Sequence, residues 1–255
     1  QKTDPALFRA NNAEIPTVNA RQTTDSIAPF GQATLEILPD TRLTLGARYN
    51  SDERHFSAVG APDRNKKFSE MTYRVSLDHQ FTPNLLGFVS FNRGYHAGAY
   101  SLQSPTAPVI NPELLDAYEV GVKSELFDRH VRLNVSAFHY DYSNVIIRAY
   151  PAPVPGQATG GAVLSNAAKA RVRGIDVDFV VQPSHRLSFA GGFEILDAKF
   201  TDWPLAAVTI HNESGPLAGQ NTTVQLANGK GLRMTNAPKF SGNIGVNYTI
   251  PSAIG

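Results

Sequence analysis

The groups with chemical potential in this 255-residue chain are seven histidines, a pair of aspartates and one stretch where a cation, aromatics and glycine crowd together. The histidines are scattered without metal-ligand spacing. His55, His96 and His211 fall in or beside segments that read as loops, where histidines are mostly solvated. With no cysteine, disulfide frameworks and thiolate metal sites are excluded. Asp176 and Asp178 stand two residues apart, which puts both carboxylates on one face of a strand. Such a pair resembles an acid/base couple, but carboxylates paired with Arg or Lys from neighbouring strands are the plainer reading. No Walker-type glycine loop, nucleophile elbow or His-Glu-x-x-His helix is present, so the chain reads as a non-enzyme that needs no cofactor. The stretch 93–100 has the best claim to touch a ligand, through Arg93, Tyr95, His96 and Tyr100. An equal alternative is that Arg93 and Tyr95 belong to an interfacial belt.

The elements that position these groups follow a rhythm. Tight turns at Leu38-Pro39-Asp40-Thr41, Phe81-Thr82-Pro83-Asn84, Phe127-Asp128-Arg129-His130 and Gln182-Pro183-Ser184-His185 alternate with long loops near Ser51–Lys67, His96–Leu114, Tyr150–Lys169 and Lys199–Pro238. The joining segments run about 10 to 13 residues, about twice the usual soluble strand. Long strands with short turns at one end and long loops at the other mark an outer-membrane β-barrel. The formal charge of +1 excludes a strongly basic nucleic-acid binder. No apolar run reaches the length of a membrane helix, and residues 1–24 lack a signal-peptide pattern.

Alternation of apolar and polar residues predicts about nine antiparallel strands, an all-β transmembrane barrel segment. One face carries Val120, Val122, Leu133, Val135, Val177, Phe179, Ile244 and Val246, expected towards lipid. The other carries Glu119, Lys123, Asn134, Asp176 and Asp178, expected towards the lumen. Only the segment 84–95 is apolar on both faces. Phe30, Tyr49, Phe81, Tyr95, Tyr118, Phe127, Tyr140, Tyr142 and Tyr248 lie near strand ends, where aromatic girdles meet the membrane interfaces. Pro and Gly collect in the loops, as in Pro151-Ala152-Pro153-Val154-Pro155-Gly156, and the 199–238 loop is long enough to fold over a barrel mouth.

Four pieces carry a family resemblance in order: Leu45-Gly46-Ala47-Arg48-Tyr49, then Phe91-Asn92-Arg93-Gly94-Tyr95-His96-Ala97-Gly98, then Asn111-Pro112-Glu113-Leu114-Leu115-Asp116-Ala117-Tyr118-Glu119-Val120-Gly121-Val122-Lys123, then Asn166-Ala167 with Arg173-Gly174-Ile175-Asp176. Together the chain resembles TonB-dependent outer-membrane receptors. The resemblance implies a 22-stranded barrel filled by an N-terminal plug and active uptake energised by the TonB complex through that plug. It further implies a Gram-negative outer membrane, contact with its lipid, and a small-molecule or metal-chelate ligand. No plug and no terminal strand is recognisable, so residues 1–255 read as a middle section of the barrel domain, ending near a further turn at Ile250-Pro251-Ser252-Ala253. Asn111-Pro112-Glu113-Leu114 is similar to a box of haem receptors, but residues 99–110 contain no histidine, which leaves haem a minor option. A ferric siderophore is the family default. The competing readings are a passive porin, which would keep an open channel, and a soluble β-rich binding or adhesion module.

Overall fold

The computed structural model describes residues 19–102, 104–149, 163–216 and 218–250. The order is β1 (Ala20–Ile27), β2 (Phe30–Leu38), β3 (Thr41–Ala58), β4 (Ala61–Thr82), β5 (Leu85–His96), β6 (Glu113–Leu126), β7 (Val131–Ala149), β8 (Val163–Ser184), β9 (Leu187–Asp202), β10 (Pro204–His211), β11 (Asn221–Asn228) and β12 (Phe240–Tyr248). One antiparallel sheet runs β1-β3-β4-β5-β6-β7-β8-β9-β12, with β2 also paired to β3. β1 pairs with residues 51–58 of β3 and β2 with its lower part, 41–48. They are therefore one strand position interrupted at Ala28-Pro29, where proline lacks the ladder donor. That leaves nine positions across the sheet, as the alternation predicts. The sheet is open, bounded by β1/β2 and β12 among the described residues.

The first three tight turns fall where their residues place them. The fourth does not, because β8 continues through Pro183-Ser184 to the pair Ser184↔Leu187 and the chain turns at His185-Arg186. All four turns share one end. Asp40 adopts φ 60 behind Pro39, the residue order of a type II turn. Phe127, Asp128 and Arg129 all have positive φ, and the His130 amide closes the turn on the Phe127 carbonyl at 3.0 Å. At the other end the expected Ser51–Lys67 loop is absent. β3 and β4 continue as a ladder to Ala58↔Ala61 and turn at Val59-Gly60, where Gly60 has φ 80. β8 likewise begins at Val163, inside the expected Tyr150–Lys169 loop, while Pro151–Gly156 lie outside the described residues, as do residues 1–18 and 251–255. The 199–238 segment contains its own hairpin, β10–β11.

The register sorts side chains onto two faces. Val122, Val135, Val177 and Phe193 stand in one row, and Val89, Val120, Ala137, Ile175 and Ile195 in the next. Leu77 and Leu43 continue the apolar face across β4 and β3. On β12 it holds Phe240, Ile244 and Val246. Most of these residues are exposed, with Ile244 71% and Val120 56% accessible and Val177, at 9%, covered by its neighbours, so among the described residues no second layer packs on this face. The opposite face carries Glu119, Lys123, Asn134, Asp176 and Asp178. β5 belongs to both: Val89 and Phe91 join the apolar face, while Phe88 lies over Gly121 on the polar one, where a Cβ would meet its ring at 2.6 Å. The girdle expectation holds for Tyr49 and Tyr118, on the apolar face. It fails for Phe30, Tyr140 and Tyr142, whose register places them on the polar face, with Tyr140 stacked on Phe138 at 4.8 Å.

Candidate functional site: the loop end of the wall

Above Arg74↔Asn92, β4 and β5 stop pairing. The upper part of β5 then passes in front of the polar faces of β3 and β4, so side chains on its outward side meet theirs. Arg93 sits at this split, reaching Glu70 on β4 and Asp116 on β6, each at 3.3 Å, with 24% of its side chain accessible. Two rows above Phe91, the Tyr95 hydroxyl donates to Asp52 Oδ2 at 2.9 Å. Burial and the Asp52 carboxylate push this phenol well above its ordinary pKa, so it remains a donor.

Residues 97–102 and 104–112 continue from this bend and are pinned against the tops of β3 and β4. Ala99 and Ile110 exchange backbone hydrogen bonds of 3.2 and 2.8 Å. Phe56, Phe68, Tyr100 and Ile110 form a small buried core beneath them. The Arg64 guanidinium lies over the rings of Phe56 and Tyr100, at 5.0 and 4.7 Å, and donates to the carbonyls of Ala107, at 2.9 Å, and Pro105. Arg54 Nε donates to the Gly98 carbonyl at 3.1 Å, and the Tyr100 amide to Gln22 Oε1 at 2.8 Å. A Cβ at Gly98 would stand 2.1 Å from the Ile110 carbonyl oxygen and 2.5 Å from the Phe68 ring, so only glycine fits this crossing.

The far end of the loop is held by asparagines. Asn166 on β8 accepts from the Asn111 amide and donates to the carbonyls of Asn111 and Asn144, at 2.8 and 3.0 Å. Asn144 bulges from β7 with φ 56 and donates to the Pro112 carbonyl at 3.2 Å. The Ile146 amide donates to Glu113 Oε2 at 2.8 Å. Two motif pieces more than fifty residues apart, Asn111-Pro112-Glu113 and Asn166, thus meet at one bulge.

Of the four mouth candidates, Arg93, Tyr95 and Tyr100 are engaged within the protein, Tyr100 being 4% accessible, and His96 is exposed. Glu119, Lys123, Asp176 and Asp178 share the polar face as their spacing predicts. The expected Arg and Lys partners for Asp176 and Asp178 do not materialise: among the described residues, the ion pairs lie elsewhere. Asp176 shares a hollow with Glu119, Tyr140 and Glu194, and Asp178 leans over Gly192 instead. Lys123 rests its ammonium 5.6 Å from the Phe88 ring. No cluster of His, Asp and Glu among the described residues could hold a metal. Arg64, Phe56 and Asn144 escape sequence reading because each acts through a partner remote in the chain.

A sheet apolar on one face and polar on the other, with tight turns at one end and a folded mouth at the other, is the wall of an outer-membrane β-barrel. The chain matches the family described as TonB dependent receptor-like, beta-barrel, over residues 2–253, and belongs to it. Among its relatives, the metal-pseudopaline receptor CntO of Pseudomonas aeruginosa is 25% identical over 229 residues, covering 86% of this chain and 28% of CntO. The probable TonB-dependent siderophore receptor PiuA of Acinetobacter baumannii is 20% identical, covering 89% of this chain and 30% of PiuA. The ferric yersiniabactin uptake receptor FyuA of Yersinia pestis superimposes with a TM-score of 0.67 at 18% identity, over 93% of this chain and 33% of that one. The chain therefore spans about three-tenths of the curated relatives it matches. Family membership places it in the outer membrane of a Gram-negative bacterium.

Proposed function

We propose that residues 1–255 are a middle section of the barrel of a receptor that takes up a ferric siderophore, energised through a plug domain and the TonB complex. The observation that supports this reading is the mouth. Residues 97–102 and 104–112 are folded inward over the polar face and locked by Arg54, Arg64, Asn144 and Asn166, so the loop end is built as a fixed vestibule. The names of CntO, PiuA and FyuA support a metal chelate as the cargo. In this reading Glu119, Lys123, Asp176 and Asp178 line the lumen, and the apolar face meets lipid. Arg93, Tyr95 and Tyr100 hold the vestibule in shape, leaving His96 as the mouth residue free to touch ligand.

The test is uptake by cells that depend on the complete receptor, offered radiolabelled iron on a panel of siderophores. Accumulation of one ferric chelate that stops when TonB is deleted supports the proposal. TonB-independent accumulation favours the porin, and uptake of sugars alone in the same cells overturns the siderophore reading.

A further inference from the structure

Above the apolar rows, the outward side of β7, β8 and β9 turns from hydrocarbon to charge. In one row Asp141, Arg171 and Lys199 are cross-strand neighbours, and a bridge between Lys199 and Arg233 brings the returning segment beside them. In the row below stand His139, Arg173 and Asp197. Beneath these come Ala137, Ile175 and Ile195 of the apolar face. Arg171 Nε meets Asp141 at 3.0 Å, while Asp197 is shared by Arg173 at 3.3 Å and Lys199 at 2.7 Å. On β6 the first row continues to Asp116, which is met by Arg93 at 3.3 Å, so with Arg233 five cations face three carboxylates. The side chains of Arg171, Arg173 and Lys199 remain 48%, 60% and 48% accessible, so their outer donors are free. The excess is local. On the same face of β1, β3 and β4, Glu53 stands opposite Lys67, and Asp25 pairs with His55 at 3.2 Å.

We infer that Arg171, Arg173, Lys199 and Arg233 form a binding site for the phosphate of an anionic lipid headgroup in the outer leaflet. Guanidinium forks match phosphate oxygens in two-pronged contacts, and a lysine adds a mobile point charge. The neighbouring surface decides for a lipid against free phosphate. A headgroup seated here lays its acyl chains along Ile175 and Ile195, 44% and 53% accessible, beside the stacked rings of Phe193 and Phe240. Asp141 and Asp197 keep the cations oriented while the patch retains its positive excess. This inference uses the outward facing of β7 to β9 and does not depend on the transported cargo.

The experiment uses the complete receptor, stripped of lipid in detergent and then given neutral-lipid vesicles doped with a phosphate-bearing glycolipid, the same glycolipid with its phosphates removed, or inorganic phosphate. Bound lipid is counted by mass spectrometry of the intact protein. Removing a cation beside a membrane costs about fivefold in affinity. The triple variant Arg171→Gln/Arg173→Gln/Lys199→Gln is expected to bind the phosphorylated glycolipid about a hundredfold more weakly, whereas Asp197→Asn, which frees two cations, binds it more tightly. Equal binding of the dephosphorylated glycolipid, or full retention by the triple variant, overturns the site. Complete displacement by millimolar inorganic phosphate overturns the lipid assignment. Should the triple variant not insert, Asp197→Asn decides alone: unchanged or weaker binding refutes the proposal.

Discussion

Val122 and Tyr100 belong to the same sheet system but are held by different physics. Around Val122 the wall is a ladder: each residue pairs with its cross-strand neighbour, apolar side chains face outward, and few side chains are buried, Ser124 and Val177 among them. Around Tyr100 the mouth is a small globule, with Phe56 and Ile110 each 2% accessible and an arginine caught between aromatic rings and carbonyls. The wall uses the membrane as its core, whereas the mouth stands in water and must build one. Substitutions should therefore hurt the wall through lipid and the mouth through packing.

The sharpest break of that contrast is Val122→Arg, which puts a cation into hydrocarbon. Near the midplane this should cost about 2–4 kcal/mol, read as a shift in the urea folding titration of the complete receptor in vesicles. The same change in detergent should cost less, and equal costs in both would remove lipid as the cause. Next comes Gly98→Val in the mouth, which drives a side chain into the Ile110 carbonyl and the Phe68 ring. Overpacking of this kind costs about 1–3 kcal/mol. It should release residues 97–112 to proteases while the wall stays folded; an unchanged digestion pattern would mean the loop is not held there.

Arg64→Gln removes two ring contacts and the guanidinium donors to Pro105 and Ala107. A loss of about 1–2 kcal/mol from the mouth is expected, seen as faster amide exchange at residues 105–110 with unchanged exchange in β6. Asn166→Ala should cost about 1 kcal/mol by opening the junction of Asn111 and Asn144. Its distinguishing readout is a disulfide between cysteines placed at 112 and 144, which should form more slowly in the variant. Smallest of all, Lys123→Ala on the polar face should stay within about 0.5 kcal/mol in the titration used for Val122→Arg. A cost matching that of Val122→Arg would reverse the assignment of the two faces.

Legibility follows the same divide. Where one face meets lipid and the other water, the requirement alternates residue by residue, so the phase of Val120 and Val122, or of Leu133 and Val135, can be read directly. Where a strand is wet on both faces the requirement disappears. Ser51-Asp52-Glu53-Arg54-His55 therefore looks like a loop although it continues β3. The sequence of β5 is ambiguous for the converse reason: Phe88 is needed on the polar face to cover Gly121, a demand that exists only when β6 lies beside it. The partners expected for Asp176 and Asp178 also turn on neighbours, since register sets a glycine, Gly192, beside Asp178 and a glutamate, Glu194, beside Asp176.

By itself the sequence determined the all-β class, the strand phase, three of the four tight turns and the family, because each depends on residues adjacent in the chain or two apart. Tertiary structure alone decided which distant groups meet: Arg64 with Tyr100, Asn166 with Asn111, and Arg173 and Lys199 on Asp197. The reason is geometric. Alternation along a strand is a local property, whereas the neighbour across the sheet is fixed by register and by where β5 leaves β4, and neither leaves a periodic trace in the chain.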